Sequence, residues 1–195
     1  MIVNKNRVTK ETDIKCQINL NGCGDFSINT GVGFFDHMLE ALSKHSGIDI
    51  KLECKGDLHI DAHHSVEDCG IVLGQALKEA VFPISKVERY GNSVVVMDEA
   101  AVSCALDLSN RPFLVYDVNI SGKVGDFDVE LVEEFFHALS GNFGITLHLI
   151  MDRGRNKHHI IEATFKAFAV ALRRALAKNE KLGVPSTKGV LWLNF

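Results

Sequence analysis

The amino-acid sequence predicts an α+β sandwich with pseudo-twofold symmetry, its helices packed inward between two sheets. Three observations lead there. His63-His64-Ser65-Val66-Glu67 returns 95 positions later as His158-His159-Ile160-Ile161-Glu162. The segments around the two copies follow one another in the same order, the mark of an internal duplication. Finally, each half has apolar faces on both its strands and its helices, which it cannot bury alone.

Taken in order, Ile14, Cys16, Ile18 and Leu20 alternate with polar residues, and Phe26 and Ile28 resume after the Asn21-Gly22-Cys23-Gly24 turn signal. This reads as a hairpin. Phe34, Phe35, Met38, Leu39 and Leu42 take helical spacing, with Gly47 as the stop. Ile48 to Cys54 alternates as a strand, and a polar loop from Lys55 to Asp61 leads into a helix over Val66 to Val81. The second half repeats this: Ala100 to Leu108 and Phe113 to Ile120 as a hairpin, a helix over Val129 to Leu139, a strand from Ile145 to Met151, and a helix over Ile160 to Leu176. The expected segments are a first repeat over 1–92, a second over 93–183, and a loop and tail over 184–195.

Composition narrows the function. With 195 residues, 46% of them hydrophobic, the chain has material for a substantial core. A formal net charge of −4 and no Lys/Arg run leave no footprint for nucleic acid or an anionic membrane. No apolar run is long enough to span a bilayer. Five cysteines without a CxxC pair point to free thiols and a cytoplasmic location.

The chemistry lies in the repeated motif. Successive helical residues point about 100° apart, so the two adjacent histidines face different ways, whereas residues three or four apart share a face. Imidazole nitrogen with carboxylate oxygen suits manganese, iron or zinc. Each preceding helix adds one histidine, giving His37, His63, His64 and Glu67 from the first half and His137, His158, His159 and Glu162 from the second. They divide into two sites of three histidines and one glutamate, open enough for substrate or water. Because each motif points two ways, some ligands are expected from neighbouring subunits. His59 reads as solvated and His148 as structural, and Glu11, Asp36, Asp68 and Glu99 read from the residues alone as surface or capping residues.

Several further stretches, Gly33-Phe34-Phe35-Asp36-His37-Met38-Leu39, Met97-Asp98-Glu99-Ala100, Asp107-Leu108-Ser109-Asn110-Arg111-Pro112 and Pro185-Ser186-Thr187-Lys188-Gly189, together with both HHxxE motifs, resemble the imidazoleglycerol-phosphate dehydratase family over nearly the whole chain. The resemblance implies ribosomal-protein-S5-domain-2-like halves with two four-stranded sheets. It also implies two Mn²⁺ per subunit, and trimers assembled into a 24-subunit homo-oligomer with active sites at subunit boundaries. It assigns the eight residues above as metal ligands, and Arg89, Arg111, Ser186 and Lys188 as the phosphate grip. His45 and Lys166 are implied as further substrate contacts. The implied catalytic carboxylates are Glu11, a proton shuttle that also touches substrate, and the ligands Glu67 and Glu162. The position after Glu40, often Gln in the family, is Ala41.

The expected reaction is dehydration of imidazole-glycerol phosphate, bound as an imidazolate at a di-manganese site, to imidazole-acetol phosphate in histidine biosynthesis. From the residues alone, the same ligands would also serve a dinuclear hydrolase, or a shell held together by structural metal.

Overall fold

In the computed structural model, residues 1–187, Gly189 and Leu191 are described. The first half runs β1 (Ile2–Val8), β2 (Thr12–Asn19), β3 (Phe26–Asn29), α1 (Gly33–Ser46), β4 (Asp49–Gly56) and α2 (His63–Val81). The second runs β5 (Tyr90–Met97), β6 (Ala100–Asp107), β7 (Phe113–Asp117), the short hairpin β8 (Lys123–Val124) and β9 (Phe127–Asp128), α3 (Leu131–Phe143), β10 (Thr146–Arg153) and α4 (Lys157–Ala175). Two four-stranded sheets result, ordered β1-β2-β4-β3 and β5-β6-β10-β7, with the four helices between them.

The strand pairing corrects the expected hairpins. Ile14–Leu20 does not pair with Phe26–Ile28; β2 pairs antiparallel with β1, and β3 lies parallel to β4. In the second half β6 pairs with β5, and β7 lies parallel to β10. A parallel neighbour needs a crossover, and α1 and α3 supply it. The hairpin partners are hidden in sequence because their inward residues are small or few. In β1 only Val3 is fully buried, while β5 turns Gly91 and Ser93 inward and leaves Val94 and Val96 exposed.

Those small residues let α4 lie against β5. A Cβ on Gly91 would fall 1.9 Å from the Ala171 carbonyl oxygen, and Ser93 Oγ donates to Ala167 O at 2.7 Å. Gly70 and Gly74 do the same for α2 against α3, where added Cβ atoms would lie 2.8 Å from Phe135 O and 2.7 Å from Leu139 O. Between the layers, Phe136 packs on Phe165 and Phe168 at centroid distances of 4.9 and 5.4 Å. Each fully buried phenylalanine stabilises by about 1.5–3 kcal/mol. Gly47 and Gly144 end α1 and α3 in the left-handed conformation, φ 76° and 82°, and their N–H groups bond Ser43 O and Ser140 O.

Asp68 departs from its expected surface role. It is buried, accepts from Arg7 Nε at 2.9 Å and from the Thr12 hydroxyl, and so ties α2 to β1 and β2 beside Glu67. Asp36 bonds the Thr30 N–H at 2.8 Å and orders the entry to α1. All five cysteines are free thiols, Cys23 alone exposed. Among the described residues no helix is long and apolar enough to cross a membrane.

Candidate metal centre and substrate-contact residues

Both motifs open their helices, because polar groups in the preceding loops take up the first free N–H groups. Asp61 accepts from the His63 N–H at 2.8 Å, and the Asn156 side chain accepts from the His158 N–H at 3.0 Å. The adjacent rings diverge as helical geometry requires, with interplanar angles of 86° for His63 and His64 and 81° for His158 and His159.

One ligand cluster forms inside the chain. On α4, His158 Nε2 lies 3.2 Å from Glu162 Oε2, and His37 of α1 brings its Nε2 to 3.5 Å from the same oxygen. The three donor atoms all lie within 4.8 Å of one another. Ligands about 2.1 Å from a metal at right angles stand about 3 Å apart, so the spacing fits a divalent ion. Lys166 Nζ holds the other oxygen, Oε1, at 2.6 Å. Burial pushes the Glu162 carboxyl up, but Lys166 and His37 outweigh it and the net displacement is downward. Phe34 presents an edge to His158 at 5.1 Å and packs on Phe127 at 5.3 Å.

The counterpart cluster is only partly assembled. His63 Nε2 is 3.9 Å from Glu67 Oε2. His137 is exposed on α3 and does not join them within the 4.8 Å that gathers the first trio. His63 borders a cleft of about 580 Å³ lined in part by Phe34, Leu58, Ile60 and Phe127.

His64 and His159 turn elsewhere. His64 Nδ1 is 2.9 Å from Asp57 Oδ2, and its Nε2 is 3.8 Å from Glu11 Oε1. His159 Nδ1 is 2.8 Å from Glu99 Oε2, and its Nε2 is 3.8 Å from Asp98 Oδ2. The hydrogen bonds to Asp57 and Glu99 hold the two imidazoles above their ordinary pKa. His159, then the backbone N–H groups of Asn156 and Arg155, bring Glu99 down to about 2. Reading the sequence missed Asp57, Asp98 and Glu99 as members of the site. Only the Met97-Asp98-Glu99-Ala100 stretch offered a signal; Asp57 lay unmarked in a polar loop.

The remaining candidates fall in two places. His45, half-buried in the last turn of α1, is depressed by burial and then by Lys166 and Arg173 of α4. It therefore continues the His37 stripe toward Lys166. Ala41, between them in sequence, is buried. Arg89 sits at φ 68°, a costly conformation for a residue with a side chain, and grips both oxygens of Asp107 at 2.7 and 3.0 Å. Its Nη1 donates to Pro185 O at 2.7 Å, bringing the loop of Ser186 alongside, and Arg111 Nη2 stands 3.8 Å from Asp107. Lys188 lies outside the described residues.

These arginines and His159 lie at opposite ends of one hairpin. Tyr90 pairs with Asp107 at one end and Met97 with Ala100 at the other. Seven strand steps at about 3.3 Å put the ends roughly 23 Å apart. His59 and His148 are exposed, and His59 lies near enough to Asp57 to help the His64 hydrogen bond hold that carboxyl below the ordinary range.

Comparison with known proteins identifies the family. The family model for imidazoleglycerol-phosphate dehydratase matches residues 30–172. The imidazoleglycerol-phosphate dehydratase of Aliarcobacter butzleri (strain RM4018) is 82% identical over 190 residues, covering 97% of this chain and 100% of the relative. That of Campylobacter fetus subsp. fetus (strain 82-40) is 68% identical, with the same coverage of 97% and 100%. Among solved structures, imidazoleglycerol-phosphate dehydratase from Staphylococcus aureus subsp. aureus N315 superposes with a TM-score of 0.84 at 42% identity, over 92% of this chain and 100% of that one. The enzyme from Pyrococcus furiosus in complex with (S)-C348 gives 0.83 at 41% identity, over 96% and 100%. The chain belongs to the imidazoleglycerol-phosphate dehydratase family and is an enzyme of the hydro-lyase class.

Proposed function

We propose that the protein dehydrates D-erythro-imidazole-glycerol phosphate to imidazole-acetol phosphate in histidine biosynthesis, at a centre that holds two Mn²⁺ per subunit. The observation that carries this reading is the convergence of His37, His158 and Glu162 from two halves of the chain at ion-ligand spacing. His37, His158, His159 and Glu162 would hold metal, as would His63, His64, Glu67 and His137. When bound, the ions supply Lewis acidity that draws electrons from the substrate's imidazole ring.

The chain's own residues do the rest. Glu11, exposed and 3.8 Å from His64 Nε2, takes the proton from the middle carbon of the glycerol chain and passes it to the hydroxyl on the carbon next to the ring. That hydroxyl leaves as water, and the enol that remains ketonises to place the carbonyl on the middle carbon. General-base help of this kind is worth about 10²- to 10⁴-fold. Arg89, Arg111, Ser186 and Lys188 bind the phosphate, with Arg89 pre-set by Asp107. Lys166 and His45 line the approach from the α1–α4 side.

The 23 Å spacing along the β5–β6 hairpin far exceeds the length of a three-carbon phosphate carrying one imidazole. That supports a centre completed between subunits of a homo-oligomer, a 24-mer built from trimers. The two repeats and the loop at 184–195 would then serve different ends of each centre. We place the enzyme in the cytoplasm. The test is turnover of imidazole-glycerol phosphate by chelated protein, with and without Mn²⁺, following the ketone. Metal-dependent ketone is expected; phosphate release instead would make the protein a hydrolase.

A further inference from the structure

The second histidine of each motif is held in the same way by carboxylates from unrelated places. Asp57 lies in the loop between β4 and α2, and Glu99 at the tip of the β5–β6 hairpin. A relic of duplication would have left both on the same loop. Two non-equivalent loops instead deliver an oxygen to the same ring atom, Nδ1, at 2.9 and 2.8 Å. An ionised carboxylate only accepts, so Nδ1 carries the proton at both rings and the neutral ring keeps its lone pair on Nε2. That atom points away from the carboxylate that fixes it, toward Glu11 in one half and Asp98 in the other.

We infer that Asp57 and Glu99 are positioning residues that fix His64 and His159 with Nε2 outward, so that each motif lends its second histidine to an ion other than the one its first histidine and glutamate hold. The inference deepens the proposed function and rests on its metal reading. It turns the divergence of adjacent rings into a directed one. Without the Nδ1 bond each ring is free to turn about its side-chain torsions and to carry its proton on Nε2, the form that cannot ligate through that atom. Both oxygens of Glu99 serve this arrangement, since Oε2 takes the ring and Oε1 takes the N–H groups of Arg155 and Asn156 at 3.1 and 2.7 Å. Asp57 uses Oδ2 for the ring, while its backbone N–H and C=O bond Glu11 O and the Ile60 N–H and keep the loop in place. The loop therefore survives truncation of the Asp57 side chain.

The experiment records ¹⁵N imidazole shifts of ¹⁵N-histidine-labelled, metal-stripped protein at a pH where the rings are neutral, with His64 assigned by the loss of its signals in His64→Ala. In the wild type His64 should show Nδ1 protonated; in Asp57→Ala it should pass to the Nε2–H form, and Asp57→Asn, which retains an acceptor oxygen, should restore part of the wild-type pattern. Mn²⁺ titration should give affinity about 10- to 100-fold weaker for Asp57→Ala and for Glu99→Ala, the usual effect of removing a group that orients a ligand. An unchanged His64 pattern in Asp57→Ala overturns the inference, as does unchanged Mn²⁺ affinity in both variants. Wild-type protein that takes up no Mn²⁺ would instead overturn the metal reading, and the shifts, recorded without metal, would still decide the orienting role.

Discussion

Lys166 Nζ lies 2.6 Å from Oε1 of Glu162, one turn earlier on α4, which leaves Oε2 of that carboxylate facing His158 and His37. The lysine thus determines which oxygen is offered to the histidines. Replacing it by methionine removes a charged hydrogen bond, worth about 1.5–3 kcal/mol, from a carboxylate with little solvent around it. Urea denaturation of metal-free Lys166→Met should show that loss, and added Mn²⁺ should reduce it, because an ion at Oε2 supplies the missing positive charge.

Acid should act through Glu99. Its folded pKa of about 2 lies below the ordinary 4.5, so its contribution to stability is present above 4.5 and fades as pH falls toward 2. His159, raised, contributes with the opposite sense: its share is full below 6.5 and is lost as pH climbs through the folded value. Thermal melts of Glu99→Gln should therefore vary less with pH between about 4.5 and 2 than those of the wild type.

Metal removal should change mass as well as activity. Light scattering on chelated protein is expected to show smaller species that regain the original mass with Mn²⁺, since ligand binding and assembly are linked when ions bridge chains. His159→Ala should impair this recovery even in excess metal. A mass that stays constant through chelation would exclude bridging ions.

The close approach of α2 to α3 gives a stability prediction independent of chemistry. Gly74→Ala would place a methyl 2.7 Å from the Leu139 carbonyl oxygen and 3.0 Å from the Phe143 nitrogen, backbone atoms that cannot step aside alone. The expected cost is about 1–3 kcal/mol, read as a lower urea midpoint with unchanged slope. Gly141→Ala, where a Cβ meets nothing within 4 Å, is the matched control.

Much of the fold was legible because period-two and helical patterns survive wherever one face is buried. Residues such as Ile14, Cys16 and Ile18, or Phe35, Met38 and Leu42, could hardly read otherwise. β1 and β5 escaped because their inward positions suit close backbone packing rather than hydrophobic bulk: Gly91 and Ser93 carry no apolar signal, while Val94 and Val96 carry one on the wrong face. The hairpin partners were consequently misassigned. At the site, histidines announced themselves by repetition and helical spacing. Asp57 and Glu99 reach their rings from loops 7 and 60 positions away in the chain, and no periodicity marks a loop carboxylate.

The separation of Arg89 from His159 along one hairpin has a genetic meaning. If every working centre draws its anion grip from one chain and its ring-binding histidine from another, a chain lacking the first and a chain lacking the second carry complementary lesions. Two dead alleles, Arg89→Ala and His159→Ala, expressed together in a histidine auxotroph should then restore growth that neither supports alone.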